Sequence, residues 1–115
     1  MAPPLETTNL QAVAASTVAR EGVVWALEAS DDLNVNLVRF GAGRGVGEHI
    51  NEEVDVLFLG VSGSGIIEVN REEYALGVGK LVFVPKGDRR STRGVSEDFA
   101  YLTIHRRRGP LRIGR

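Results

Sequence analysis

Residues 79–94 read GKLVFVPKGDRRSTRG, and this stretch decides the fold. Its apolar run Leu81–Val84 has the β-branched and aromatic content of a buried strand. Gly79 lets the chain turn into that strand through backbone conformations that other residues disfavour. Pro85 ends the strand without needing a ladder donor, and Gly87 completes the following turn. The stretch therefore predicts a buried strand that ends in a tight turn.

An upstream stretch carries side chains suited to ligand contact at a defined spacing. Five residues separate Gly43 from His49, and one residue separates His49 from Asn51. Three further residues lead to Asp55, and a strand pattern then runs to the neighbourhood of Gly63. Imidazole, carboxamide and carboxylate groups are therefore expected near one another, next to a strand.

These two stretches together resemble the two motifs of the cupin superfamily, in particular its small single-domain bacterial members. The first family motif is Gly, five residues, His-x-His, three or four residues, Glu, six residues, Gly. The second is Gly, five residues, Pro-x-Gly, two residues, His, three residues, Asn. Gly79, Pro85 and Gly87 fall at the family spacing, and the resemblance covers about residues 35–105. It implies an all-β fold, namely a cupin-type jelly-roll β-barrel (double-stranded β-helix).

The metal-binding part of the resemblance is degenerate. In metal-binding cupins the two histidines and the glutamate of the first motif, with the histidine of the second, hold one metal ion. Here His49 keeps the first position, while Asn51 replaces the second histidine and Arg90 replaces the histidine of the second motif. The glutamate position is ambiguous, because Asp55 fits a three-residue gap and Val56 fits a four-residue gap.

The chemistry of these replacements opposes a cation and favours an anion. A transition metal needs about three good protein donors, and a guanidinium in the site would repel it. We therefore predict no standard metal cofactor and the binding of a small anionic molecule in the barrel by His49, Asn51, Asp55 and Arg90. The other interpretation of Arg90 is structural, an internal ion pair with Asp55, Glu52 or Glu53 that fixes the mouth of the barrel.

His105 leaves a second hypothesis open. Strand alternation puts Phe99, Tyr101, Thr103 and His105 on one face, and the opposite face is also apolar, so the sequence does not show which face is inside. If His105 faces inward, then His49, Asp55 and His105 could hold a divalent metal ion. The protein would then be a small metal-dependent enzyme of the oxygenase or isomerase type. Whether the protein is an enzyme stays open.

Charge is divided unevenly along the chain. Residues 1–79 hold 4 basic and 12 acidic side chains, a net of −8, and residues 80–115 hold 10 and 3, a net of +7. Few aromatic residues interleave the basic part, and it contains no nucleic-acid motif, so we interpret the division as pairing within the fold or across a dimer. A nucleic-acid partner is not expected. A homodimer is expected by analogy with small jelly rolls, with the apolar strand around Trp25 as a candidate interface.

The remaining composition describes a globular protein. Of 115 residues, 43% are hydrophobic and 25% are charged, and the absence of cysteine excludes disulfides and thiolate chemistry. No apolar run approaches the ~18 residues of a membrane span, so we expect a cytoplasmic protein. We predict an N-terminal extended or irregular segment over residues 1–20 and a single cupin-like β-barrel domain over residues 21–115. The predicted strands are 23–28, 34–40, 54–59, 65–70, 73–76, 80–84 and 99–105.

Overall fold

The computed structural model describes residues 5–17 and 19–107, and within them nine strands form two sheets. A short helix precedes the strands. The elements are α1 (Leu10–Ser16), β1 (Gly22–Ala26), β2 (Leu33–Phe40), β3 (His49–Ile50), β4 (Val56–Ser62), β5 (Gly65–Val69), β6 (Glu72–Ala75), β7 (Leu81–Val84), β8 (Arg89–Gly94) and β9 (Phe99–Arg106).

The two sheets have the topology of a jelly roll. One has the strand order β1-β2-β9-β4-β7 and the other the order β3-β8-β5-β6, and the named strands pair antiparallel throughout. Their facing surfaces enclose the main core, which includes Val38, Val56, Phe58, Ile67, Phe99 and Tyr101. The prediction of an all-β, cupin-type jelly-roll barrel is confirmed.

The burial of Phe99 and Tyr101 shows which face of strand β9 points inward. Phe99 and Tyr101 belong to the core between the sheets, and their ring centroids lie 5.2 Å apart. Because alternate residues of a strand share a face, Thr103 and His105 also lie on the inward side. The other face packs outside the five-stranded sheet, in a second apolar cluster that includes Ala100 and Leu102.

The structure differs from the expected irregular N-terminal segment at Leu10–Ser16, which is helical. The side chain of Asn9 caps the helix by accepting a hydrogen bond from the backbone N–H of Ala12 at 3.0 Å. Ala14 is buried in the second cluster, where the helix covers the outer face of the five-stranded sheet and where Trp25 is half-buried. The apolar outer face of that sheet supplies the burial that so short a helix needs.

Each of the seven predicted strands is present with shifted ends, but two further strands, β3 and β8, were not predicted. In β8 the buried positions are Arg90, Thr92 and Gly94, and the residues between them are more exposed. A half-buried strand is normally recognised by apolar residues at its inward positions. The polar inward residues of β8 hide this pattern, and they are also the residues that line the site described below.

Ion pairs join the acidic and basic parts of the chain. Arg89 contacts Glu48 at 3.1 Å, and Arg93 contacts Glu73 at 2.8 Å. Both pairs are exposed and each stabilises the fold little, but they show that the two parts interleave as neighbouring strands. Arg108, Arg112 and Arg115 lie outside the described residues. No helix within residues 5–17 and 19–107 has the length and apolar character needed to cross a membrane.

Candidate functional site

A cavity of about 150 Å³ opens between the two sheets. It is lined by residues of both family-like stretches and of β9. His49, Asn51, Val56 and Arg90 all line it, and these are the four positions that match metal ligands in the family motifs. The fold therefore brings the predicted site residues His49, Asn51 and Arg90 together in one cavity, and adds Val56 to them.

Asp55 is not part of this cavity. It is exposed, and its carboxylate accepts a hydrogen bond from the backbone N–H of Lys86 at 2.9 Å. Val56 is buried and lines the cavity, because residues 56 and 58 are the inward positions of β4. The four-residue gap in the first motif is therefore the correct one, and a valine stands where the family motif has glutamate. The role of Asp55 in ligand binding stays a prediction, and its side chain lies outside the cavity that His49, Asn51 and Arg90 line.

His49 and Arg90 form the central polar contact. They are register partners in the β3–β8 ladder, and Arg90 Nε donates to His49 Nε2 at 3.2 Å. The other ring nitrogen of His49, Nδ1, lies 2.9 Å from the backbone oxygen of Gly47. Because a guanidinium only donates, Nε2 must be the acceptor, so Nδ1 carries the proton and donates to Gly47. The imidazole thus holds the guanidinium in place.

The donor set does not fit a divalent metal ion. The Nε2 lone pair of His49 already accepts from Arg90, and Arg90 places a permanent positive charge beside it. His105 lines the cavity, but Asp55 lies outside it. Within the described residues, no three His, Cys, Asp or Glu side chains gather as a metal site. The arrangement of His49, Asp55 and His105 does not favour the alternative hypothesis of a metal site, which stays untested.

Asn51 supplies a buried donor to the same cavity. Only 6% of its surface is exposed. Its Oδ1 accepts from the backbone N–H groups of Glu53 at 2.9 Å and Val54 at 3.2 Å, which stabilises the turn before β4. The Nδ2 group is buried and has no hydrogen-bond partner among the described residues. A buried amide donor left unsatisfied costs about 1–3 kcal/mol, so a ligand oxygen at this position would be favourable.

Two other polar side chains of the lining form a hydrogen-bonded pair that sequence reasoning missed. The hydroxyl groups of Thr92 and Tyr101 lie 2.8 Å apart, across the space between the sheets. Burial raises the pKa of Tyr101 to about 12, although the Thr92 hydrogen bond and the charge of Arg90 act in the opposite direction. The alternation of residues along β9 places Tyr101 and Thr103 on one face of the strand. It would have predicted both as cavity residues only if the inward face of β9 had been known.

The raised pKa of Tyr101 predicts a loss of stability at alkaline pH. The unfolded phenol ionises near pH 10 and the folded one near 12, so between these values the unfolded state binds fewer protons and stability falls as the pH rises. At pH 11.5 the expected loss from this residue is about 2 kcal/mol relative to pH 9. Urea unfolding at the two pH values checks it, because Tyr101→Phe should lack this part of the loss. Equal losses in both proteins would contradict the prediction.

Comparisons with known proteins agree with this architecture. No protein-family model and no curated protein matches the chain. A solved cupin superfamily protein from Desulfitobacterium hafniense is 26% identical, with a TM-score of 0.69 and coverage of 90% of this chain and 94% of that one. A Bacillus halodurans protein has a TM-score of 0.74 at 17% identity, covering 94% and 86%. KdgF from a Halomonas species has a TM-score of 0.68 at 20% identity, covering 74% and 77%.

The fold, the two motif stretches and the cavity at their meeting point thus lead to the same assignment. Several solved neighbours, including a Bacteroides fragilis protein with a TM-score of 0.64 at 22% identity, covering 83% of this chain and 84% of that one, are described as cupins. This chain therefore has the cupin-type fold of these solved proteins.

Proposed function

We propose that this protein binds a small organic anion in the cavity between its sheets, without a standard metal site. The observation that supports this most directly is which residues occupy the four positions that match metal ligands in the family motifs. They line one cavity and present an imidazole, a carboxamide, a valine and a guanidinium. Only the first is a good metal donor, and its lone pair accepts from the guanidinium.

The electrostatics of the cavity favour an anion. Arg90 is only 5% exposed, and its guanidinium carbon lies 6.0 Å from the centre of the Phe58 ring. None of the described residues that line the cavity is acidic. An anion that enters the cavity would therefore meet a guanidinium and no acidic side chain of the described lining.

The donors are also held in position before any ligand binds. The β3–β8 ladder and the hydrogen bond to His49 orient Arg90, while the turn at residues 51–54 orients Asn51. The backbone N–H of Gly87 donates to the backbone oxygen of Asn51 at 2.8 Å, which joins the turn of one motif to the other. Donors that are already oriented lose little conformational entropy on binding, and this raises affinity.

The proposal is tested by nuclear magnetic resonance titration with acetate, benzoate and inorganic phosphate as separate probes. Saturable shifts of the Arg90 Nε–H and Asn51 side-chain amide signals are expected with at least one of them. The exposed guanidinium of Arg93 serves as an internal control for weak surface binding. If no probe shifts the cavity signals, or if Arg93 responds equally, the proposal fails.

We also propose a homodimer formed through the outer face of β7. Leu81 and Phe83 are 56% and 57% exposed, and they alternate with the inward Val82 and Val84. Strand β7 lies at one edge of the five-stranded sheet, so these two side chains extend an apolar surface at that edge. Exposed apolar residues that adjoin one another on a sheet are a typical feature of association surfaces.

Replacing Phe83 with lysine is expected to convert the dimer to a monomer, because an ammonium group buried in an interface would be costly. Size-exclusion chromatography with light scattering measures the mass directly. Val23→Lys is the matched control, since Val23 is 55% exposed on β1 at the opposite edge of the same sheet. That variant should remain a dimer. A wild-type protein that is monomeric at ~0.1 mM would rule out the proposal.

A further inference from the structure

A second cavity, of about 410 Å³, opens on the outer side of the five-stranded sheet, and Arg39 lines it. Val38 belongs to the core between the sheets, so the neighbouring Arg39 points to the outer side. The sheet therefore separates this cavity from the one that His49 and Arg90 line. Its volume falls within the range of about 300–1,000 Å³ that is typical of small-molecule sites.

Small residues leave the end of the Arg39 side chain open to this cavity. The register partners of Arg39 are Gly22 on β1 and Ala100 on β9, and neither has a side chain long enough to cover a guanidinium. Gly41, two residues further along the chain, also lines the cavity and adds no side chain. The cavity exists because these three positions around Arg39 lack bulk.

The guanidinium of Arg39 is buried, yet most of its donors are not used. Only 4% of the residue is exposed, and Nε donates to the backbone oxygen of Ala14 at 3.2 Å, which fixes the side chain against the end of α1. Its two terminal amino groups make no hydrogen bond or ion pair with the described residues. They present the planar fork that fits the two oxygens of a carboxylate.

The rim of the same cavity is acidic, because the exposed side chains of Glu21, Glu97 and Asp98 line it. A Cβ on Gly41 would lie 2.9 Å from Oε2 of Glu97 and 3.8 Å from Oε2 of Glu21, so these two carboxylates converge on one point. Glu21 pairs with Arg44 at 2.9 Å, whereas Glu97 makes no ion pair with the described residues. A cationic group held between the two carboxylates would therefore be stabilised.

These opposite charges match a ligand that carries both signs. A simple anion would meet the acidic rim, and a simple cation would meet Arg39. We propose that this cavity binds a free amino acid, with its carboxylate on the terminal amino groups of Arg39 and its ammonium group between Glu21 and Glu97. This inference does not rest on the anion proposed for the cavity between the sheets. A role of Arg39 limited to capping α1 predicts no such binding.

Four small molecules test the requirement for both charges. L-Alanine carries both, isopropylamine replaces its carboxylate with a methyl group, and isobutyrate replaces its ammonium group with a methyl group. γ-Aminobutyrate carries both charges at a longer spacing. Dissociation constants are measured from the nuclear magnetic resonance signal of Arg39 Nε–H. At least one amino acid should bind at least about tenfold more tightly than isopropylamine and isobutyrate, since tenfold, about 1.4 kcal/mol, is less than a hydrogen bond to a charged group typically contributes.

The outcomes at Arg39 are independent of the proposed function. If neither amino acid shifts the Arg39 signal, the inference is overturned and Arg39 only caps the helix. Binding of isopropylamine or isobutyrate as tight as that of the amino acids would also overturn it, because one charge would then be sufficient. The signals of Arg90 and Asn51 report separately on the anion proposed for the cavity between the sheets.

A substitution at the rim supplies a second test. Glu97→Gln removes one charge from an exposed side chain, so the fold should be retained. The affinity for the amino acid should fall about threefold, the effect of one exposed ion pair. Glu28→Gln is the matched control, because Glu28 is exposed beyond the opposite end of β1 and does not line the cavity. Unchanged affinity in Glu97→Gln would contradict the position assigned to the ammonium group.

Discussion

Replacing Arg90 with methionine is expected to lower the affinity for a small carboxylate about 30-fold or more. Hydrogen bonds to a charged group contribute about 1.5–3 kcal/mol, and this variant removes the one permanent charge among the described lining residues. The variant also loses the hydrogen bond from Arg90 to His49, which contributes to stability. His49 is exposed, so its Nε2 can accept from water instead.

Lost binding in a protein that is still folded is the informative result. Isothermal titration calorimetry with isobutyrate and thermal unfolding of the same samples measure the two quantities. Arg93→Met is the matched control, because Arg93 lies on the same strand but is exposed and pairs with Glu73. That variant should bind normally. A variant at Arg90 that binds isobutyrate as well as the wild type would refute the proposed site.

Gly60→Ala is expected to destabilise the protein by about 3 kcal/mol, the upper part of the range for overpacking substitutions. A Cβ at this position would run into the backbone carbonyl of Gly77. The clash has no easy relief, because Gly60 N–H donates to Lys80 O and Gly60 O accepts from Gly79 N–H. Gly77 O in turn accepts from Lys80 N–H, so backbone hydrogen bonds within the same turn hold both partners of the clash.

The control for this prediction is the facing glycine. A Cβ on Gly77 meets no atom within 4 Å, and its backbone does not adopt the left-handed conformation. Gly77→Ala should therefore be neutral or stabilising by a few tenths of a kcal/mol, through the lower entropy of the unfolded chain. Urea unfolding of both variants measures the difference. Equal free energies of unfolding would show that the close approach at Gly60 does not constrain this turn.

The fold could be predicted because its signals are local. The strand Leu81–Val84 and the turn formed by Pro85 and Gly87 depend on backbone properties of single residues, and these properties are visible in the sequence. The expectation that this strand is buried was wrong, because it lies at a sheet edge and exposes Leu81 and Phe83. The helix Leu10–Ser16 could not be predicted in the same way. It has seven residues, too few for a stable isolated helix, and it forms because the apolar outer face of a sheet lies beneath it.

The site could be predicted only in part because it depends on register. His49, Asn51 and Arg90 lie in the cavity as expected, since the spacing within each motif places them there. Asp55 and Val56 differ by one position, and in a strand one position changes the face. The motif spacing is compatible with either residue at the inward position, and only the pairing of β4 with its neighbours shows that it is Val56. His105 presented the same difficulty. The outer face of β9 is also apolar, since it packs in the cluster that helix α1 covers, so the sequence did not show which face is inside.

The hydrogen bond between Arg90 and His49 also has a mechanical consequence. It joins strands β3 and β8, each of which carries one of the two family-like motifs, where a shared metal ion would join them in a metal-binding relative. A cross-link made by two side chains is complete as soon as the chain has folded. Assembly of this protein should therefore be independent of the metal supply of the cell, and its unfolding temperature should be the same with and without a chelator.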